Sequence, residues 1–355
     1  MVFPIQSAGS APTSSAPTAP LLRVATAGEA LFDLIEEPDG RLKPCAGGAV
    51  YNLTRALGLQ GVGTQYLNPL SGDMLGRQLA RGLHEAGVAL AAPTPVRAPS
   101  ALALAALDAE GKASYSFYRD GVADRQVTAA ALTAACAALP ELQVVATGCL
   151  ALVAQDAAIY QPWLAAQRAA GRMVVVDANL RLSAVDDAEA YRANVMAALQ
   201  HAHLIKVSDD DLDALAVPGA TALERAHYLQ QQTQAQWLAL TLGPEGAWLL
   251  QRDGLALNAR EEAPITVVDT VGAGDCFLAG LITALLAGPE RGEDALALRA
   301  GGITAPITEA RLRTVLHHAL ASASHCVERA GCTPPRYEEV RERLALRRPT
   351  TAAGR

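Results

Sequence analysis

Residues 267–280, VVDTVGAGDCFLAG, set Asp269 and Asp275 around Gly272 and Gly274 and then run straight into apolar residues. The spacing predicts a strand ending at Val268, a glycine turn, and a buried helix starting near Ala273. The first amides of such a helix have no partner within it, and its dipole adds roughly half a positive charge. Glycines at the entry let an oxygen come close to the backbone. This makes a cradle for an anion, above all for a phosphoryl group in transfer. Asp275 falls in the first turn, within reach of a hydroxyl attacking that phosphorus, where a general base would sit. The competing reading is a first-turn acid that only satisfies helix amides, and a Gly-Ala-Gly by itself does not decide between the two.

A second carboxylate raises a related question. Asp33, in LFDLI, shares a strand face with Leu31 and Ile35. Burying it alone is costly, so it either faces a ligand rich in hydroxyls or pairs with a Lys or Arg. Asp177, Asn179 and Arg181 follow the apolar run MVVVD, at the end of a strand where open α/β sheets bind ligands. Arg181 has a structural ion pair as its other reading.

The elements that must position these groups alternate along the chain. Strands are expected at 22–27, 62–67, 143–147, 172–177, 203–207, 236–242 and 264–268. Helical periodicity fills 48–58, 73–86, 128–138, 155–170, 188–200, 221–233, 273–287 and 308–328. Strands apolar on both faces imply a parallel sheet covered by helices on both sides. Two hairpins interrupt that rhythm, at 29–45 around Pro38-Asp39-Gly40 and at 100–119 around 108–112. They are expected to form a small accessory sheet, either a lid over a site or mere decoration. The expected organisation is a tail at 1–20, an α/β core of 21–28, 46–99 and 120–345, a β lid of 29–45 and 100–119, and a C-terminal tail at 346–355.

Bulk properties narrow the function classes. The 355 residues are 51% hydrophobic and only 4% aromatic, with a net charge of -7. An acidic surface repels a phosphate backbone, which argues against nucleic acid as a partner. Six cysteines without a CxxC pair read as small buried hydrophobes in a reducing cytoplasm. No apolar run reaches the roughly 18 residues of a membrane span, and residues 1–20 lack the basic start and apolar centre of a signal peptide.

DTVGAGDCFLAG resembles the D-T-x-G-A-G-D signature of the ribokinase (PfkB) family of sugar kinases. GGAVYNLTRALGLQG (47–61), GDMLGRQLARGLHEAGV (72–88), DANLR (177–181), KVSDDDL (206–212) and TLGPEGA (241–247) resemble further family segments, in the family's order. The resemblance spans about residues 22–340. GEALFDLI, FYRDGVADR (117–125) and ERAGCTPP (328–335) look most like the bacterial fructokinases within that family.

The resemblance implies a ribokinase-like three-layer αβα sandwich around a mainly parallel sheet, with a β-sheet lid. It implies ATP-dependent phosphorylation of a primary hydroxyl, that of D-fructose first. 2-Keto-3-deoxygluconate, ribose or another sugar is the alternative acceptor, and a silent sugar- or nucleotide-binding regulator the alternative class. Asp275 would be the base, with the amides of Gly272, Ala273 and Gly274 as the anion hole. Asp33, Gly48 and Asn52 would bind sugar hydroxyls. Arg119 would lie near the sugar or its phosphate, or be a surface charge, and Asp177, Asn179 and Arg181 would position acceptor or polyphosphate. Lys206, Ser208, Thr241, Gly243 and Gly246 would line the ATP site, although the two glycines also suit a strand-connecting turn. Mg²⁺ would bridge the phosphates, and the exposed edge of a lid sheet invites a homodimer.

One departure concerns the metal. The family often carries N-x-x-E where this chain has Ser208 and Asp211. Asp211 is a candidate metal ligand, or else the run 209–211 is an acidic first helical turn. Asp269 lies at the loop that matches a monovalent-cation (K⁺) site. The HAH at 201–203 lacks a third ligand nearby. Neither a G-x-x-x-x-G-K-[ST] loop nor a dinucleotide glycine fingerprint occurs.

Overall fold

A computed structural model describes residues 21–37, 39–107, 113–252, 254–287, 298–299, 302–303 and 307–347. The expected tail at 1–20, the C-terminal tail beyond 347, Pro38 and the 108–112 turn lie outside the described residues. In chain order the first half runs β1 (Val24–Thr26), β2 (Leu31–Glu36), β3 (Leu42–Gly47), α1 (Ala49–Leu59), β4 (Thr64–Tyr66), α2 (Met74–Glu85), β5 (Ala89–Leu90), β6 (Ala101–Leu107), β7 (Ala113–Tyr118) and α3 (Ala129–Ala137). The second half continues with β8 (Val144–Gly148), α4 (Ala157–Ala169), β9 (Met173–Asp177), α5 (Ala188–Leu199), β10 (Leu204–Ser208), α6 (Asp209–Ala214), α7 (Ala222–Gln231), β11 (Trp237–Thr241), β12 (Ala247–Gln251) and β13 (Ala256–Ala259). It closes with α8 (Ala273–Leu286), a short β14–β15 pair (Leu298–Arg299, Gly302–Ile303), α9 (Glu309–Val327) and α10 (Tyr337–Ala345).

The main sheet has the order β13-β12-β11-β10-β9-β8-β1-β4-β5. Its pairs are parallel from β5 to β11, whereas β12 and β13 join antiparallel. Successive strand residues feed opposite cores, as a period of two requires. Val145, Val174, Val176 and Leu238 pack with Trp163 and Tyr191 of α4 and α5. Val144, Val175 and Ala239 pack with Phe277, Leu281 and Leu316 of α8 and α9. The result is helix, sheet, helix. The two hairpins form a separate four-stranded sheet, β3-β2-β6-β7, in which β2 and β6 run parallel. Phe32 anchors it beside Val50, Leu79 and Leu83 of α1 and α2.

Local chemistry explains most helix starts. Asp73, Thr128, Asp187, Thr221 and Thr308 each accept a first-turn amide. The expected strand at 264–268 is not formed. Val267 and Val268 are 63% and 58% exposed, and the Val268 and Asp269 amides bond the Val327 carbonyl at the end of α9. β-Branched residues there cover no sheet face, so periodicity overstated them. The β12–β13 hairpin, α6 and α10 carry signals too short or too polar to have been expected.

The strand order reverses between β1 and β8, because β4 leads away on one side and β8 on the other. Open α/β sheets form a crevice at such a switch, outside the carboxyl ends of the strands. α8 reaches that crevice with its N-terminus, and α9 fixes its height. A Cβ at Gly280 would stand 2.8 Å from Ser322 Cβ and 2.9 Å from Ala319 Cα, so the two helices pack backbone to backbone. Gly280→Val should therefore destabilise the protein by about 1–3 kcal/mol through overpacking. Urea unfolding reads this as a lower midpoint, and an unchanged midpoint contradicts the packing described.

Candidate active site

A cavity of about 360 Å³ opens at the switch point. Glu29 after β1, Leu150 after β8, Asn179 and Arg181 after β9, and Lys206 on β10 reach it from the main sheet. Leu31, Asp33 and Ala46 reach it from the small sheet, and Gly48 and Asn52 from the start of α1. Residues 269–272, Gly274 and Asp275 close the remaining side.

The glycine loop is shaped by its surroundings. Gly272 caps α8 in the left-handed region, with φ 78° and ψ 1°, and no side chain caps that helix. A side chain at Gly272 is excluded twice: by φ, and by Cys332 Sγ 2.2 Å from where Cβ would stand. Asp269 ties the loop down, since its two oxygens accept the amides of Val271 at 3.0 Å and Gly331 at 2.8 Å. Ala273 N–H donates back to the Thr270 carbonyl at 3.2 Å. In this conformation Gly272 and Gly274, not Ala273, border the cavity.

Asp275 is 6% exposed, and Asn52 Nδ2 donates to its Oδ2 at 2.9 Å. Burial pushes its carboxyl up to about 6, against the pull of Asn52, Lys206 and Arg181. Lys206 lies beneath the loop: its Nζ is 3.0 Å from where a Gly274 Cβ would stand, and it pairs with Asp177 at 3.1 Å. Burial works against the Lys206 charge, but the carboxylates of Asp177, Asp211 and Asp275 hold its pKa above the ordinary value. A buried carboxylate, an ammonium and an open helix N-terminus therefore converge on one point.

The opposite wall suits a polyol. Burial also pushes Asp33 up to about 6, against Arg181. Asn52 Oδ1 and Glu29 Oε2 are buried without a hydrogen-bond partner among the described residues. Glu29 was not expected from the sequence. It is fully buried, its Oε1 accepts the Ala49 amide at 2.9 Å, and burial raises it to about 7 despite Arg119. The only available signal was an acid just after a strand end, which by itself looks like a loop residue.

Other expected residues sit elsewhere. Arg119 is neither on the surface nor in the cavity lining. It donates to the Leu150 carbonyl at 2.9 Å and pairs with Asp124 at 3.5 Å. Asp177 stands one layer behind the wall, through Lys206. Ser208 and Asp211 form the capping box that opens α6. Asp211 Oδ2 accepts from the Ser208 amide and hydroxyl at 2.8 and 2.9 Å, and Oδ1 accepts the Leu180 amide at 2.9 Å. These three donors make Asp211 hold the 177–181 loop; Oδ1, with a single donor, keeps a lone pair. Thr241 ends β11 with its hydroxyl on the Val207 carbonyl at 3.4 Å. Gly243 and Gly246, at φ 53° and 93°, flank the turn into β12. His203 Nδ1 accepts the Val174 amide at 2.9 Å, so half of the HAH pair serves the core.

A protein-family model, the pfkB family carbohydrate kinase, matches residues 22–339. The chain belongs to the PfkB carbohydrate kinases. This kinase is 31% identical over 266 residues to the fructokinase of Rhizobium leguminosarum bv. trifolii, covering 73% of this chain and 78% of the relative. The crystal structure of fructokinase with bound ATP from Xylella fastidiosa superimposes with a TM-score of 0.74 at 25% identity, over 91% of this chain and 98% of that one. Aminoimidazole riboside kinase from Salmonella enterica, complexed with its riboside and an ATP analogue, shares the fold at 23% identity, with a TM-score of 0.72 over 91% and 99% of the chains. The solved structures establish the ribokinase-like architecture, and the family match with the fructokinase relative establishes the kinase class. No helix among the described residues is long and apolar enough to cross a membrane.

The Asp275 environment has a measurable cost. Its folded pKa of about 6 lies above the ordinary 3.8, so the ionised form favours unfolding. That cost is absent at pH values below the ordinary value, grows as the unfolded chain ionises, and is complete above about 6, where it amounts to roughly 3 kcal/mol. Asp275→Asn should accordingly melt higher than wild type at pH 8, with the difference vanishing near pH 4. A lower Tm for the variant at pH 8 contradicts this balance.

Proposed function

We propose that this kinase transfers the γ-phosphate of ATP to the primary 6-hydroxyl of D-fructose. The observation that carries the reading is the Asn52–Asp275 hydrogen bond at the uncapped entrance of α8. It points the carboxylate into a cavity with an anion cradle on one side and acceptors suited to hydroxyls on the other. Fructose as acceptor is supported by the Rhizobium relative and by the buried side-chain oxygens Asn52 Oδ1 and Glu29 Oε2, which face the cavity without a hydrogen-bond partner among the described residues.

In this reading Asp33, Gly48 and Asn52 hold sugar hydroxyls, with Glu29 Oε2 as a further acceptor, and Asn179 and Arg181 flank the sugar and the incoming phosphate. Asp275 takes the proton of the 6-hydroxyl as its oxygen attacks the γ-phosphorus, and ADP leaves on the opposite side. The developing charge meets the amides at Gly272 and Gly274 and the Lys206 ammonium. Thr241, Gly243 and Gly246 are assigned to the nucleotide. Bound Mg²⁺ would neutralise polyphosphate charge. Phosphate oxygens and water would supply most of its ligands, with Asp211 as the candidate protein carboxylate, and Asp269, with one amide on each oxygen, keeps lone pairs for a monovalent cation such as K⁺.

Sugar-dependent ADP formation with MgATP tests the proposal, using fructose, ribose, 2-keto-3-deoxygluconate and adenosine. Fructose should give the highest kcat/KM, and Asp275→Asn should lower its turnover by at least about 10²-fold. Preference for another acceptor overturns the fructose assignment. Full activity in Asp275→Asn overturns the mechanism.

A further inference from the structure

Behind the glycine loop lies a cluster that the phosphoryl-transfer reading does not use. Cys276 follows the base on α8, Cys326 sits in the last turn of α9, and Cys332 lies in the segment after it. Their three Sγ atoms lie within 4.8 Å of one another. Cys276 and Cys326 are fully buried, while Cys332 is half-buried and borders the cavity. All three are free thiols. Cysteines are often buried merely as small hydrophobes, and Cys136 on α3 is one such thiol in the other core layer. Three sulfurs from three separate segments meeting at one point is a different arrangement.

We propose that Cys276, Cys326 and Cys332 form a binding site for a thiophilic divalent cation of the Zn²⁺ class. Tetrahedral Zn²⁺ holds sulfur at about 2.3 Å, which sets sulfurs about 3.8 Å apart, so each pair here needs to close by roughly 1 Å at most. Soft thiolates select such ions over Mg²⁺, which prefers oxygen, so the site does not compete for the nucleotide's metal. Three protein sulfurs leave a fourth position for water, and Cys332 at the cavity wall gives the ion a way in. Binding releases the thiol protons as each sulfur becomes a ligand.

The site abuts the anion cradle. Cys326 Sγ–H donates to the Val271 carbonyl at 3.6 Å, and Cys332 Sγ fills the space beside Gly272. Drawing both sulfurs onto an ion removes the Val271 contact and shifts the atom against which Gly272 packs. Occupancy should therefore displace the loop and slow phosphoryl transfer. That consequence rests on the proposed kinase mechanism, whereas the binding itself does not.

The test titrates the full-length reduced protein with Co²⁺ and then Zn²⁺, following thiolate-to-cobalt charge-transfer absorption, which needs no turnover. One Co²⁺ per chain should give the band, and Zn²⁺ should displace it. Cys332→Ser and Cys326→Ser should each weaken Zn²⁺ binding by more than about 100-fold, beyond what outer-shell changes do; Cys136→Ala should bind as wild type. Circular dichroism confirms that the variants are folded. Absence of the band in wild type, or an equal band in folded Cys332→Ser, overturns the site. With MgATP and sugar in excess, Zn²⁺ should lower wild-type turnover at least tenfold, and a zinc-selective chelator should restore it. Full turnover at full Zn²⁺ occupancy overturns the coupling to the loop.

Discussion

A carboxylate kept ionisable inside the protein is the constraint on which the other parts depend. Asp275 is almost fully buried, and desolvation is the largest influence on its carboxyl, pushing its pKa up. Asn52, Lys206 and Arg181 bring its pKa back to about 6, low enough for a base that works near neutrality. Each helper needs support of its own. Lys206, itself buried, is held charged by Asp177. The 179–181 turn, with Asn179 at φ 37°, is held through the Leu180 amide by Asp211. Asp211, a metal candidate by its place in the sequence, thus also keeps this loop in place.

The same economy of space governs the entrance of α8. α8 can present amides to a ligand only because Gly272 turns the chain without a side chain and because no side chain caps the helix. Its height is set by close packing on α9 at Gly280, and its loop is tied by Asp269 to the segment that follows α9. The entrance of α8 and the C-terminal helices are consequently one mechanical unit. The small sheet supplies the opposite wall through Leu31 and Asp33, so the cavity is complete only where two independent sheets meet.

Much of this was legible in the sequence, for physical reasons that differ by element. α8 announced itself because an apolar helix behind a glycine turn has few other uses, and the two hairpins did so through breaks in an α/β rhythm. The 264–268 run misled because β-branched residues can also lie exposed beside a loop. Glu29 stayed hidden because its role depends on the start of α1 folding back over it, a long-range contact that no local pattern encodes. Arg119 reads as a hairpin-end charge locally, yet the fold buries it against Asp124 and Leu150. Ser208 and Asp211 matched a metal-associated segment by position, and the capping box that the structure forms there was equally visible in their spacing.

The pH dependence of kcat/KM for fructose, in wild type and in Asn52→Ala, tests the central claim most directly. A base at about 6 gives a rate that falls on the acid side through that value, since the protonated carboxyl cannot accept the hydroxyl proton. Removing the Asn52 hydrogen bond, which lowers that pKa, should move the acid limb to higher pH. A wild-type rate that stays flat well below pH 6, or a limb that does not move in Asn52→Ala, would contradict the role given to Asp275.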